Sequence, residues 1–148
     1  MTGDASFQSD VAAALLLEKL IRNVYAARLS AEIQPLQWSI LRYLKTAPEN
    51  RCTVGWIRSF VGLTHAPVVR AIKTLTLRGL VADRNHPQDA RSRLLYLTAS
   101  GLDSLRRDPI LSLVRLMREL PENDRVQLKK SIRTLALGAD IREEIDEP

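Results

Sequence analysis

Arg70 and Lys73 stand three residues apart in Leu63–Leu80, a stretch whose apolar positions recur with helical spacing. Val68, Ile72, Leu75 and Leu80 can share one inward face, which leaves Val69, Arg70 and Lys73 at other angles. An arginine presented in this way can fork onto O6 and N7 of a guanine, and a lysine can meet guanine or phosphate; a phosphate contact alone is the alternative for Arg70. Thr64, His65 and Ala66 fall at the start of the same helix, where backbone N–H groups and short side chains meet phosphates or base edges. His65 equally suits an exposed turn. A second basic group follows in Asn85–Arg93, which holds His86, Pro87, Asp89, Arg91 and Arg93. An arginine at the tip of a ribbon can enter a narrow minor groove and sense its negative potential. His86 can reach a phosphate backbone, although its neighbour Pro87 also suits a plain turn. A carboxylate beside phosphate would repel, so Asp89 reads as a support for Arg91 and the tip.

The elements that must hold these side chains follow from the flanking pattern. Gly79 stands where a helix stops in left-handed geometry. Leu80–Arg84 and Leu94–Thr98 then alternate as strands on either side of the polar tip. A helix followed by a two-stranded ribbon with a basic tip has the form of a winged helix. Upstream, Pro35 suits the first turn of a helix over Leu36–Lys45 that turns Leu36, Ile40, Leu41 and Leu44 inward. Thr53 caps a short helix, Val54–Val61, with Val54, Ile57, Phe60 and Val61 apolar and Gly62 ending it. Gly62 and Leu63 form the turn of a helix-turn-helix. Thr64 or His65 opens the next helix, although Pro67 biases Ala66 away from helical geometry and leaves a later start open.

Met1–Ser9 reads as a frayed lead-in, and Asp10 as the cap of a helix reaching about Leu29. That helix carries an apolar stripe too broad for one partner. Thr98 opens a further helix from Ala99, which Pro109 kinks or divides. Ile110–Leu120 is apolar around much of its circumference, and a last helix over Glu122–Leu137 is closed by Gly138. The acidic tail, 139–148, carries Ile141 and Ile145, which could dock on a neighbour.

With 148 residues, 45% of them hydrophobic and 5% aromatic, the chain suits one helix-rich domain. It has no apolar run of about 18 residues and no export signal, so neither a membrane partner nor secretion is expected. One cysteine, Cys52, fits a reducing cytoplasm. From Arg51 to Arg93 eight basic residues face two acidic ones, while the rest of the chain holds 14 basic and 15 acidic. The positive excess therefore coincides with the segment that could read nucleic acid. No HExxH, GxSxG, GxxxxGK[ST] or CxxC pattern occurs, and the two histidines both flank the basic face, so no catalytic residue, metal or cofactor is expected.

The segment resembles the DNA-binding core of the MarR family of bacterial transcription regulators. Asp89, Arg91, Leu95, Leu97, Thr98 and Gly101 match the family's wing signature, D-x-R followed by a hydrophobic residue and x-L-T-x-x-G. Leu63, Thr64, Val68, Arg70, Arg78, Gly79, Leu80 and Val81 match its recognition helix. Pro67 and Val69 depart from it where hydroxyl residues are usual, so the family's base-reading pattern does not transfer. The resemblance implies a mainly α fold with a small β-hairpin wing: a winged helix-turn-helix lobe, 36–98, flanked by dimerisation helices, 10–31 and 99–138. It implies a homodimer that binds a pseudo-palindromic operator in double-stranded DNA, acts as a repressor and is released by a small aromatic or anionic effector. Arg22, Tyr25 and Trp38 are the effector-site candidates, and Tyr25 and Trp38 equally suit a core. Peroxide-sensing relatives carry their cysteine on the first helix. Cys52 lies elsewhere and reads as an inert thiol. The alternative function is a winged-helix module for protein–protein contacts without specific DNA binding.

Overall fold

A computed structural model describes residues 2–26 and 33–146, with side chains over 4–26 and 33–139. In chain order the elements are α1 (Thr2–Ala26), α2 (Pro35–Thr46), a 3-10 turn (Glu49–Arg51), α3 (Val54–Val61), α4 (His65–Leu77), β1 (Val81–His86), β2 (Asp89–Leu97), α5 (Ala99–Ser104), a second 3-10 turn (Leu105–Arg107), α6 (Ile110–Glu119) and α7 (Glu122–Asp146). The fold is mainly helical with one two-stranded antiparallel hairpin. The chain forms two compact units, one ending at Pro109 and one beginning at Ile110.

Local chemistry explains most boundaries in the first unit. Pro35 opens α2 where its missing N–H goes unneeded, and the Gln34 N–H donates to Gln37 Oε1 at 3.0 Å. Thr53 accepts from Trp56 N to cap α3, and Gly62 ends it with φ +64°. Thr64 is the N-cap of α4, so Pro67 is its third residue. There the lost N–H is one that no helix could satisfy, so the proline is tolerated without a break. Gly79 leaves α4 at φ +68°, and the Leu80 N–H returns to the Leu75 carbonyl at 2.9 Å.

Trp38, Ile40, Leu41, Ile57, Val68, Leu75 and Val81 are the largest fully buried side chains, so α2, α3, α4 and β1 share one aliphatic core. That core holds α4 and the hairpin together. The hairpin is extended by a bond from Leu95 N to Cys52 O at 2.8 Å, which ties β2 to the segment before α3.

Three expectations are corrected. α1 begins at Thr2, with Asp4 in its first turn and a Gln8–Asp4 side-chain bond, so no frayed lead-in precedes Asp10. Its expected end near Leu29, and the last part of the expected dimerisation helix 10–31, lie outside the described residues. Of the apolar residues of α3, Ile57 carries the burial, while Phe60 is exposed and lies against Tyr43 with ring centroids 4.8 Å apart. The hairpin is longer than the alternation suggests, because polar side chains of its own tip sustain the pairing. Last, α7 passes through Gly138 and reaches Asp146, so much of the expected tail has helical backbone.

In the second unit, Pro121 precedes α7, Glu122 and Asp124 occupy its first turn, and Arg125 pairs with Glu122. Leu111, Val114, Leu116, Val126, Ile132 and Leu135 are all exposed. Among the described residues, no helix is long and apolar enough to cross a membrane.

Candidate nucleic-acid interface

α4 divides cleanly between core and solvent. Val68, Ala71, Ile72 and Leu75 are buried. Ala66, Val69, Arg70 and Lys73 follow the i, i+3, i+4, i+7 spacing along the opposite, exposed side. Neither Arg70 nor Lys73 pairs with a described acidic residue, so both charges face solvent. Thr64 makes no side-chain cap bond, which leaves its hydroxyl at the helix start beside exposed His65. Pro67 supplies no N–H, so the amide set of this helix start is smaller by one donor.

The wing is built around its own polar residues. β1 and β2 pair from Val81↔Leu97 to Asn85↔Arg93, then the register shifts and His86 faces Asp89. The shift leaves Ala90, Arg91 and Ser92 as an insertion on β2, and it aims the tip away from the ladder. Asp89 shapes that insertion: its carboxylate accepts the Arg91 N–H at 2.9 Å and the Ser92 hydroxyl at 2.7 Å. The bonds from Ser92 and Arg91 hold the Asp89 carboxyl below its ordinary pKa. His86 Nδ1 accepts the Gln88 N–H at 3.1 Å, which closes the Pro87–Gln88 turn.

Arg91 and Arg93, similar in sequence, differ in placement. The Arg93 guanidinium bonds Asp83 through Nε and Asn85 through Nη1, and so works as a cross-strand brace. Arg91 is held only by its backbone and pairs with no described acidic residue. The bracing partners Asp83, Asn85 and Ser92 are not apparent from sequence, because only the strand register brings them to Arg93 and Asp89.

Thr98 and Gly101 also acquire a physical role. The Thr98 hydroxyl donates to Gly79 O at 2.6 Å and accepts from Gly101 N at 3.0 Å, while Thr98 N donates to Leu80 O at 3.2 Å. One side chain thus caps α5 and fastens it to the segment that leaves α4. At Gly101 a Cβ would lie 1.9 Å from the Leu80 carbonyl oxygen, so only glycine permits this approach.

The three effector candidates separate. Trp38 belongs to the core, and its buried Nε1 has no hydrogen-bond partner among the described residues. Tyr25 packs against that same core and accepts from Arg42 Nη1 at 3.2 Å. Arg22 sits on the exposed surface of α1, 3.5 Å from Glu18. A cleft of about 540 Å³ between the end of α2 and the hairpin is lined by Leu44, Cys52, Arg84, Leu94 and Tyr96 among others, and by none of the three. Cys52 is buried, its thiol donates to Pro48 O at 3.4 Å, and burial pushes its pKa up. Such a thiol is poor in thiolate and slow to oxidise.

A helix-turn-helix followed by a braced hairpin, stapled back onto the next helix, defines a winged-helix protein. Residues 32–92 match the MarR family model. Solved structures of similar fold include PcaV of Streptomyces coelicolor in complex with its natural ligand, with TM-score 0.66, 24% identity, and coverage of 86% of this chain and 91% of that one. Sco3205 of the same organism, a MarR family transcriptional regulator in complex with DNA, gives TM-score 0.68 at 22% identity over 91% of this chain and 86% of that one. MepR of S. aureus gives 0.70 at 17% identity over 88% and 97%. Among curated proteins, none matches the sequence.

Proposed function

We propose that this protein is a cytoplasmic, homodimeric, sequence-specific double-stranded DNA-binding regulator, acting as a repressor on a pseudo-palindromic operator. The observation that carries the reading is the exposed row Ala66, Val69, Arg70 and Lys73 on a helix whose other side is locked in the core, beside a wing tip shaped to offer Arg91. Arg70 is the best-placed base reader, Lys73 reads guanine or grips phosphate, and Thr64, His65 and His86 contact the backbone. Arg93 shapes the wing, and its remaining guanidinium N–H groups face the duplex. Sco3205, which shares the fold, has been captured on DNA.

The homodimer is supported by apolar surface that the chain leaves in water. Phe7, Val11, Leu15, Leu16, Leu17 and Ile21 are exposed along α1, and the second unit exposes its own apolar set. Surface of this kind marks an interface. The proposed dimerisation regions are 10–31 and 99–138. A small aromatic or anionic effector would release the operator by changing the distance between the two recognition helices.

Selection from a randomised duplex pool at near-physiological salt, followed by footprinting, tests the proposal. Enrichment of a two-fold motif whose halves lie about one helical turn apart is expected. Binding that is insensitive to salt and to sequence would favour a winged-helix module for protein contacts.

A further inference from the structure

Arg42, Asp108 and Tyr25 form a part-buried network that the DNA-reading face does not use. Both carboxylate oxygens of Asp108 accept from Arg42, Oδ2 from Nε at 2.7 Å and Oδ1 from Nη2 at 2.6 Å. Arg42 Nη1 donates to Tyr25 Oη, and the guanidinium carbon lies 6.0 Å from the Tyr25 ring centroid. The Asp108 side chain is 5% exposed and the Arg42 side chain 27%, so this is a part-buried, two-pronged ion pair. The bond to Asp108 raises the Arg42 pKa above its ordinary value.

The position of the network matters more than its strength. Tyr25 lies in the last described turn of α1, Arg42 lies on α2 among buried Leu41 and Leu44, and Asp108 stands two residues before α6 begins. One guanidinium therefore joins the end of α1, α2 and the segment that follows the second 3-10 turn. A planar fork with five donors in fixed directions sets orientation in a way that aliphatic packing does not. Replacing a buried ion pair by apolar groups of similar volume commonly leaves stability intact, so stability alone gives little reason for charge here.

We propose that the Tyr25–Arg42–Asp108 clamp is a positioning element: it sets the angle at which α1 leaves the lobe, and hence the separation of two recognition helices on DNA. This rests on the dimeric DNA-reading function above. The charges are retained for directional rigidity, and the side chains touch no DNA.

The test compares wild-type protein with Arg42→Met/Asp108→Leu, Arg42→Lys and Tyr25→Phe on duplexes carrying the selected half-sites at their native spacing or shifted by one or two base pairs. Thermal unfolding and light scattering are run on each protein. The double variant is expected to stay folded and dimeric, to keep the half-site sequence, and to lose tenfold or more of its discrimination between spacings. Arg42→Lys, which keeps charge without the fork, should show the same loss in part, and Tyr25→Phe a smaller one. Should the double variant fail to fold, the two single variants carry the decision. Folded, dimeric variants that discriminate spacings within twofold of wild type overturn the clamp alone. A wild-type protein that prefers no duplex, or is a monomer, overturns the DNA-reading function and the clamp with it.

Discussion

Side chains of one chemical type serve different ends here, and their partners decide which. Arg70 has its guanidinium in solvent on the outer side of α4, while Arg93 spends Nε and Nη1 on Asp83 and Asn85. Arg70→Ala should lose roughly 1–3 kcal/mol of specific affinity and relax preference at one base pair. Arg91→Ala should weaken all sequences alike and flatten the salt dependence by about one phosphate contact. Titrating both variants on matched and single-mismatch duplexes over a salt series separates the roles; a changed base preference for Arg91→Ala would count against minor-groove or phosphate contact. Asp89 has a depressed pKa because Ser92 and the Arg91 amide bond its charged form. The sign follows: the ordered tip is fully present above the ordinary carboxylate pKa and is lost as pH falls through the lower, folded-state value. Exchange protection of the Arg91 amide, followed from neutral pH into acid, should persist below the ordinary carboxylate range in wild type. It should be absent at every pH in Asp89→Ala.

At the scale of elements, the join between α4, the hairpin and α5 is the most constrained part of the lobe. Thr98 bonds Gly79 O and Gly101 N with one hydroxyl, and Gly101 leaves no room for a methyl group against Leu80 O. Gly101→Ala should destabilise by about 1–3 kcal/mol or more through overpacking against backbone that cannot give way. Thr98→Ala should lose about 1–2 kcal/mol, with Thr98→Ser recovering most of it. Urea unfolding measures both, and an unchanged midpoint for Gly101→Ala would refute the close approach. Much of this architecture was legible beforehand: Thr53, Gly62, Gly79 and Thr98 announced their helix ends, since caps and left-handed glycines act on neighbours in sequence. The exposure of Phe60 was not legible, because an apolar period states which residues share a face, not whether a neighbour covers that face. The extent of the hairpin was also missed, because Asn85–Arg93 looks like a polar loop until cross-strand bonds between Arg93, Asp83 and Asn85 are counted.

For the molecule as a whole, the exposed apolar row on α1 predicts self-association. Light scattering should give twice the 16.7 kDa mass of one chain. Leu15, exposed in the middle of that row, offers a direct probe: Leu15→Glu should shift the protein toward monomer. It should weaken operator binding far more than binding to an isolated half-site, because two linked half-sites bind with the advantage of an effective local concentration. A monomeric wild type, or a dimeric Leu15→Glu protein with unchanged affinity, would remove α1 from the interface.

By itself the sequence determined what depends on near neighbours and on charge: the helix-turn-helix order, the wing, the placing of Arg70 and Lys73 away from the apolar face, and the positive excess confined to Arg51–Arg93. Tertiary structure alone decided which charges are spent internally. Arg42 meets Asp108 across 66 residues of chain, and Arg93 meets Asp83 through strand register. Neither pairing leaves a local trace, because a salt bridge between distant segments depends on where the whole core places them and not on the residues beside either partner.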